Sequence, residues 1–276
     1  MAKRTKRRFD LRKTLFLLPN MITLSSIFCG FDAIVVASRA NGDEGQYYRA
    51  ALLIVFAMFF DTLDGRVARA TKTQSSFGLQ IDSLADVVSF GVAPSMLVYQ
   101  WTLHRLGTTG LIVSFIFTAM GAVRLARFNV LTMGEAGKPT KPSKYIVGLP
   151  TPGAAGILVS IVVANHAAAG MLGGAEYTWA ILLVTLVLSS FMVSTIRFRS
   201  FKEIKPNLRT LAVFGLIAAS SAFISAKLQP AFVLVWLLGC YVMMGVCETL
   251  WELPGRLRER AALNRDSTPP DPPDAV

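Results

Sequence analysis

Four aspartates occur in two closely spaced pairs in the first third of the chain. Asp61 and Asp64 are three residues apart, and Asp82 and Asp86 are four apart, so on helices each pair occupies one face. A short connection between the pairs lets the four carboxylates converge. Converging carboxylates stay ionised together only if cations lie between them, and oxygen ligands in this number favour Mg2+ or Mn2+. A divalent ion that also contacts phosphate oxygens is typical of phosphoryl-transfer sites.

Small residues and one arginine accompany the aspartates. Gly65, Ala68 and Gly78 lack bulky side chains, so a flat ligand can approach the backbone at these positions. Arg69 follows Gly65 by about one helical turn, and a guanidinium donates paired hydrogen bonds to phosphate oxygens. Together with the aspartates, these residues indicate a site for a nucleotide diphosphate.

Membrane-spanning helices must position these residues. The chain has 276 residues, of which 53% are hydrophobic and 16% charged, whereas about a quarter of a soluble domain is charged. A helix needs about 20 apolar residues to cross a membrane, and the apolar stretches lack the period-two alternation of a β-barrel. The pattern predicts an all-α polytopic membrane protein with about eight transmembrane helices, at approximately 15–39, 48–70, 79–101, 107–128, 146–167, 177–196, 208–226 and 230–251.

The composition divides the chain into three parts. We expect residues 1–14 to form a basic cytoplasmic arm, residues 15–251 a transmembrane catalytic domain, and residues 252–276 a cytoplasmic, largely disordered tail. The apolar run from Phe16 to Val36 is longer than the h-region of a signal peptide, so we expect it to be a retained span. Cys29, Cys240 and Cys247 lie in apolar stretches, are odd in number and lack metal-ligand spacing, which favours neither disulfides nor zinc.

Positive charges are distributed unevenly between the two sides of the predicted helices. With the N-terminus in the cytoplasm, most of the 28 Lys and Arg residues fall in cytoplasmic segments, and only Arg39, Arg49, Arg105 and Lys227 lie outside. This distribution follows the positive-inside rule and places the aspartates at the cytoplasmic face. The net charge of +11 is therefore explained by basic segments that face anionic lipid, and it does not indicate binding of nucleic acid.

The full spacing from Asp61 to Asp86, D-x2-D-G-x2-A-R-x8-G-x3-D-x3-D, resembles the signature of the CDP-alcohol phosphatidyltransferase family at every position. The resemblance implies a core of six membrane helices and transfer of a phosphatidyl group from a CDP-linked lipid to a small alcohol. It implies that Asp61, Asp64 and Asp82 bind metal. It also implies that Asp86 takes the proton from the acceptor hydroxyl and contacts a second metal ion.

The resemblance extends to the donor pocket. An upstream element, Pro19-Asn20-x-x-Thr23, is similar to the segment that contacts cytidine in this family. The segment between Arg69 and Gly78 also contributes in relatives, which implicates Ser75. The residues that the resemblance implies for binding CDP-diacylglycerol are Asn20, Thr23, Gly65, Ala68, Arg69, Ser75 and Gly78.

Three further segments resemble the membrane-integral phosphatidylserine synthases, a branch of this family. They cover residues 121–129, 148–155 and 194–202, and eight spans are also typical of that branch. The resemblance implies L-serine as the acceptor, phosphatidylserine and CMP as products, and a homodimer in a bacterial cytoplasmic (inner) membrane. Arg124, Arg127 and Asn129, at the cytoplasmic end of the fourth span, are candidates for holding serine, because an arginine can bind its carboxylate.

Two alternatives remain open from the sequence. The aspartate motif is shared by family members with other acceptors, so a phosphatidylglycerophosphate synthase is the first alternative. A divalent-cation transporter is the second, since intramembrane acids such as Asp32 also occur in ion pathways. Transporters, however, place their sites near the membrane midplane. His104 and His166 fall near the outer face, far from the motif, and we do not expect either to be a catalyst.

Overall fold

The computed structural model describes residues 11–73, 75–132 and 145–199, together with 216, 219–225, 230, 232–240 and 242–244. Seven α-helices are assigned between residues 11 and 199: α1 Leu11–Arg39, α2 Glu44–Ala70, α3 Ser76–Asp86, α4 Ala93–Trp101, α5 Thr108–Thr132, α6 Thr151–Ala167 and α7 Thr178–Val193. A π-helical segment, Val87–Val92, joins α3 to α4, so that residues 76–101 form one continuous rod. Short 3-10 turns occupy Leu103–Leu106, Met171–Gly173 and Ala175–Tyr177.

Helices occupy the regions of the first six predicted spans. Four are long and apolar enough to cross a membrane, namely residues 17–39, 76–101, 108–131 and 175–193. Helix α2 is long but carries the charged motif, and α6 is apolar but has 17 residues. The predicted seventh and eighth spans, the first ten residues of the arm and the tail lie mostly or wholly outside the described residues. The fold is therefore that of a helical membrane protein.

Tight turns with defined caps connect α1 to α2 and α2 to α3. Asn41 and Gly42 adopt positive φ values of 47° and 89°, and the Asp43 side chain then caps α2 by accepting from the Gly45 N–H at 2.8 Å. At the other end of α2, Lys72 has φ of 55° and ends the helix. Ser75 Oγ accepts from the Gly78 N–H at 3.0 Å and starts α3. The second turn places the two aspartate-bearing helix ends side by side.

Small residues allow α1, α2 and the π segment to pack closely. Ala33, Ala37, Ala50 and Ala57 are buried almost completely where α1 and α2 meet. A Cβ atom added at Gly30 would lie 2.8 Å from the Cα of Ser89, so this glycine is required by the approach of two backbones. Small residues at such contacts are typical of membrane helices, because dispersion contacts rather than hydrophobic transfer hold them together.

The π segment begins directly after Asp86. Its wider turns leave backbone carbonyls that need partners within the protein, since no water is available in a membrane interior. The Thr118 hydroxyl on α5 donates to the carbonyl of Gly91 at 3.2 Å, and Ser89 Oγ donates to the Ser26 carbonyl on α1 at 3.0 Å. These bonds lock the helix that carries Asp86 between α1 and α5.

The predicted start of the fifth span at residue 146 is wrong. Residues Tyr145–Val147 form strand β1, which pairs antiparallel with strand β2, Arg197–Arg199, and α6 begins only at Thr151. Pro150 and Pro152 favour a helix start here, because proline lacks the N–H that an interior turn requires. The strand pair ties the entrance of α6 to the exit of α7, and it is the only exception to an all-α fold among the described residues.

Candidate active site

Three of the four aspartates form a compact cluster. Asp61 and Asp64 on α2 and Asp82 on α3 each offer one carboxylate oxygen, and these three atoms lie within 4.8 Å of one another. Asp64 is buried, whereas Asp61 and Asp82 are half-buried. The helical turn between α2 and α3 thus converts two sequence-local pairs into a single site, as the spacing predicts.

Asp64 is held in place from a third helix. The Thr23 hydroxyl on α1 donates to Oδ2 of Asp64 at 2.6 Å, and it is also 3.1 Å from the carbonyl oxygen of Pro19. A hydrogen bond to an ionised carboxylate is shorter and stronger than one between neutral groups. Thr23 therefore orients one carboxylate of the cluster, although the sequence resemblance implicates it in donor binding.

The fourth aspartate lies beside the cluster and differs from the other three. The carboxyl groups of Asp86 and Asp61 are within hydrogen-bonding distance of each other. Oδ1 of Asp86 is buried, and it has no hydrogen-bond partner among the residues that the structure describes. Buried polar atoms are normally paired, so an orphaned carboxylate oxygen indicates that a ligand completes the site.

The residues present fit a divalent cation. Three carboxylates this close repel one another strongly unless a cation lies between them. Hard oxygen ligands are those that Mg2+ and Mn2+ prefer, and the orphaned oxygen of Asp86 adds a fourth acceptor next to them. Asp61, Asp64 and Asp82 are thus suited to hold an ion, with Asp86 at its edge.

The glycines of the motif have different surroundings. A Cβ at Gly65 would meet no atom within 4 Å, so the space next to this exposed residue is open. A Cβ at Gly78 would lie 3.2 Å from Ser75 Oγ and 3.6 Å from Oδ1 of Asn20. Asn20, Ser75 and Gly78 therefore come together at the start of α3, while Gly65 borders unfilled space beside Asp64.

Ala68 and Arg69 occupy the last turn of α2. Ala68 is half-buried and its carbonyl accepts from the Thr73 N–H at 3.0 Å, whereas Arg69 is exposed and its carbonyl accepts from the Lys72 N–H at 3.3 Å. Their backbones therefore shape the turn that brings α3 beside α2. Arg69 is exposed in the last turn of α2, one turn beyond Gly65.

The three candidate acceptor residues on α5 point to different partners. Arg124 lies close enough to act electrostatically on Asp86, and its Nη1 donates to the Thr151 hydroxyl at 3.3 Å. Arg127 donates to the Val193 carbonyl at the end of α7 at 3.4 Å. Arg124 is the one of these two arginines whose described contacts bring it to the aspartates.

Asn129 contacts α3 through a serine of the motif region. Its Nδ2 donates to Ser83 Oγ at 2.9 Å, and both residues line a groove of about 540 Å³ between α3 and α5. None of the four aspartates lines this groove. Asn129 therefore connects α5 to α3 next to Asp82 in sequence.

The two histidines lie at the other end of the helices. The His166 ring, near the end of α6, stacks on Tyr48 with a centroid distance of 4.2 Å. His104 Nδ1 is 3.3 Å from the Tyr99 carbonyl oxygen, beyond the end of α4. Both places agree with their predicted position away from the aspartates.

Thr151 was not among the site residues that the sequence indicates. It is the first residue of α6, follows Pro150 and is completely buried. The Pro-Thr-Pro run does signal a helix start, but nothing in the sequence pairs it with Arg124, 27 residues earlier. Only the packing of α6 against α5 reveals the contact.

Comparison with known proteins agrees with this site. The model of the CDP-alcohol phosphatidyltransferase family matches residues 16–191, which include every aspartate of the cluster. The chain belongs to this family. Membership favours the transferase interpretation over the divalent-cation transporter.

Several similar curated proteins carry the name CDP-diacylglycerol–serine O-phosphatidyltransferase. The protein of that name from Helicobacter pylori is 38% identical over 237 residues, which cover 86% of this chain and 92% of the relative. One from Bacillus subtilis is 33% identical over 189 residues, covering 67% of this chain and 92% of the relative. One from Methanocaldococcus jannaschii is 38% identical over 151 residues, covering 55% and 62%.

Proposed function

We propose that this protein transfers the phosphatidyl group of CDP-diacylglycerol to L-serine, giving phosphatidylserine and CMP. The observation that carries the proposal is the aspartate cluster with Asp86 beside it, in a chain that belongs to the CDP-alcohol phosphatidyltransferase family. The choice of serine as acceptor is supported by relatives that are named for serine and whose length this chain largely covers.

Asp61, Asp64 and Asp82 are the proposed ligands of Mg2+ or Mn2+, and Thr23 holds Asp64 for that role. When bound, such an ion neutralises negative charge that develops on the phosphate oxygens of the donor. The open space at Gly65 and the Asn20–Gly78 contact border the proposed cytidine diphosphate pocket, with Ser75, Ala68 and Arg69 around it. The exposed side chain of Arg69 pairs with phosphate oxygens of the donor and neutralises part of their charge.

Asp86 is the proposed general base. Its Oδ1 takes the proton of the serine hydroxyl, and the serine oxygen attacks the phosphorus that carries diacylglycerol. A P–O bond to serine forms as the P–O bond to CMP breaks, and CMP leaves with that electron pair. A single displacement of this kind requires no covalent enzyme intermediate, so one carboxylate beside the phosphate is sufficient.

Serine differs from neutral acceptors by its charged groups. Arg124 is the proposed partner of the serine carboxylate. It lies close enough to Asp86 to interact with it electrostatically, and the serine hydroxyl must lie next to Asp86 to give up its proton. Arg127 and Asn129 are proposed to support this end of α5 through Val193 and Ser83.

The membrane context is part of the proposal. We propose an integral protein of a bacterial cytoplasmic membrane with eight spans, built on a six-helix core, that acts as a homodimer. The basic segments of the chain favour a cytoplasmic site, where soluble serine meets the lipid-anchored donor.

An acceptor assay tests the function. Full-length protein purified in detergent is given CDP-diacylglycerol, a divalent metal salt and either L-serine or sn-glycerol 3-phosphate, and CMP release is measured. We expect CMP release with L-serine and not with glycerol 3-phosphate. The opposite preference would identify the phosphatidylglycerophosphate alternative and overturn the serine assignment.

Asp86→Asn provides the inactive control for this assay. The amide keeps the size of the side chain but cannot take the proton, so we expect loss of CMP release with retained binding of CDP-diacylglycerol. Full activity in this variant would refute the role of Asp86 as base without affecting the acceptor assignment.

A further inference from the structure

Thr151 lies at the meeting point of α5, α6 and the aspartate site. Its side chain is completely buried, and its hydroxyl accepts a hydrogen bond from Nη1 of Arg124 at 3.3 Å. Arg124 in turn acts electrostatically on Asp86. A buried hydroxyl beside a guanidinium restricts where that guanidinium can lie, because leaving its polar atoms unpaired in a buried place is costly.

The orientation of Thr151 is set by a glycine on α5. A Cβ added at Gly121 would lie 3.3 Å from Cγ2 of Thr151, so the methyl group occupies the notch that the missing side chain leaves. With the methyl group in this notch, the hydroxyl is directed to Arg124, one turn further along α5. A β-branched side chain has few rotamers, so this packing defines the direction of the hydroxyl.

The backbone that leads into Thr151 is also held. Gly148 has φ of 80°, and its N–H donates to the Ile196 carbonyl at 2.8 Å. The N–H of Leu149 donates to the Phe191 carbonyl at 3.0 Å. Because Phe191 in the last turn of α7 and Ile196 just beyond that helix anchor these two residues, the start of α6 is a rigid support for the threonine side chain.

We propose that Thr151 is a positioning residue that aims Arg124 at the acceptor-binding side of Asp86. The proposal rests on the proposed function, in which Arg124 receives the carboxylate of the acceptor. Thr151 itself touches neither the donor nor the reacting atoms. Its contribution is to reduce the freedom of the guanidinium, so its loss weakens binding of an anionic acceptor and leaves donor binding intact.

The test compares Thr151→Val with Thr151→Ser in the CMP-release assay, using full-length protein. Valine keeps the methyl packing and removes the hydroxyl, whereas serine keeps the hydroxyl. We expect Thr151→Val to raise the KM for L-serine about tenfold with unchanged KM for CDP-diacylglycerol, and Thr151→Ser to stay within about threefold of wild type. Thr185→Val is the matched control, because Thr185 is equally buried but donates to Ile181 of its own helix.

A double-mutant cycle with Arg124→Ala separates positioning from general destabilisation. If Thr151 acts through Arg124, Thr151→Val has no further effect on the acceptor KM once Arg124 is alanine. The acceptor KM values of the cycle are measured with whichever acceptor the wild type uses. A wild type that prefers glycerol 3-phosphate therefore defeats the serine assignment while the cycle still decides the role of Thr151.

Three results would overturn the proposal. They are an unchanged acceptor KM in Thr151→Val, an equal loss in Thr151→Ser and Thr151→Val, and additive effects of Thr151→Val and Arg124→Ala. If Thr151→Val does not fold, as judged by size-exclusion chromatography, Gly121→Ala replaces it, since its added methyl displaces Cγ2 of Thr151 and thereby turns the retained hydroxyl away from Arg124. A wild-type acceptor KM in Gly121→Ala then overturns the proposal.

Discussion

At the scale of residues, the site combines carboxylates from adjacent helix ends with single hydroxyl groups from distant helices. Thr23 reaches Asp64 across 41 positions of sequence, and Thr151 reaches Arg124 across 27. A hydroxyl adds no charge, so it orients a carboxylate or a guanidinium without changing the net charge of the metal site. Groups that hold metal ligands in place commonly affect metal affinity as strongly as some ligands do.

Thr23→Val is expected to weaken metal activation. Removing the 2.6 Å bond leaves Asp64 without its side-chain donor, so the metal concentration for half-maximal CMP release rises about tenfold. Thr23→Ser retains the donor and serves as the control. The role assigned to Thr23 is wrong if the valine variant has the metal dependence of wild type.

Gly65→Ala is expected to separate folding from activity. The added methyl group meets no protein atom within 4 Å, and alanine favours a helix over glycine by about 1 kcal/mol, so thermal stability is retained or increased. If the cytidine diphosphate occupies this space, the KM for CDP-diacylglycerol rises about tenfold. Gly239→Ala also adds a methyl group to open space and is the control. Equal donor KM values for both variants and wild type would place the pocket elsewhere.

At the scale of elements, the aspartate helices are positioned by backbone approach rather than by large side chains. The contact of Gly30 with Ser89 brings α1 against the π segment, and the hydroxyl of Thr118 supports that segment from α5. The π segment starts one residue after Asp86, so any change in its packing is passed directly to the proposed base. π-Helical turns often occur at functional sites for this reason.

Gly30→Ala is expected to reduce stability and activity together. Its Cβ would lie 2.8 Å from a backbone atom, which cannot move without shifting a helix, so we expect a loss of about 1–3 kcal/mol. The thermal unfolding midpoint in detergent measures this effect. Gly153→Ala is the matched control, since its nearest neighbours lie at 3.9 Å. A wild-type midpoint for Gly30→Ala would show that α1 and the π segment are less tightly packed.

At the scale of the whole molecule, the two ends of the helix bundle carry different polar groups. The start of α1, the end of α2 and the start of α3 converge on the aspartates, whereas the opposite end holds the Glu44–Asn165 hydrogen bond of 2.6 Å and the Tyr48–His166 stack. From the charge distribution of the sequence we propose that the aspartate end faces the cytoplasm.

Cysteine labelling tests this orientation in intact cells. Ser76→Cys and Glu176→Cys replace exposed residues at opposite ends of the helices. An impermeant maleimide is expected to label Glu176→Cys from outside and Ser76→Cys only after the membrane is permeabilised. The wild type, whose own cysteines lie in apolar segments, is the unlabelled control. The reverse pattern would place the aspartates on the outer face.

The sequence by itself determined the aspartate cluster, because its members lie within 26 consecutive residues on two helix ends joined by a short turn. Helical periodicity sets which side chains share a face, and the turn leaves little choice in how the two faces meet. The same local rules located the helical regions α1 to α7 between residues 11 and 193, with α3, the π segment and α4 predicted as one helix. They did not anticipate the strand pair at residues 145–147 and 197–199, whose partners lie 50 to 54 residues apart.

The tertiary structure alone decided which distant side chains serve the site. Arg124, Arg127 and Asn129 fall on one short stretch of α5, yet their described bonds go to Thr151, Val193 and Ser83 on three different helices or helix ends. Periodicity fixes a residue's place around its own helix but not the rotation of that helix against its neighbours. That rotation is set by close contacts such as Gly121 with Thr151, which no local pattern encodes.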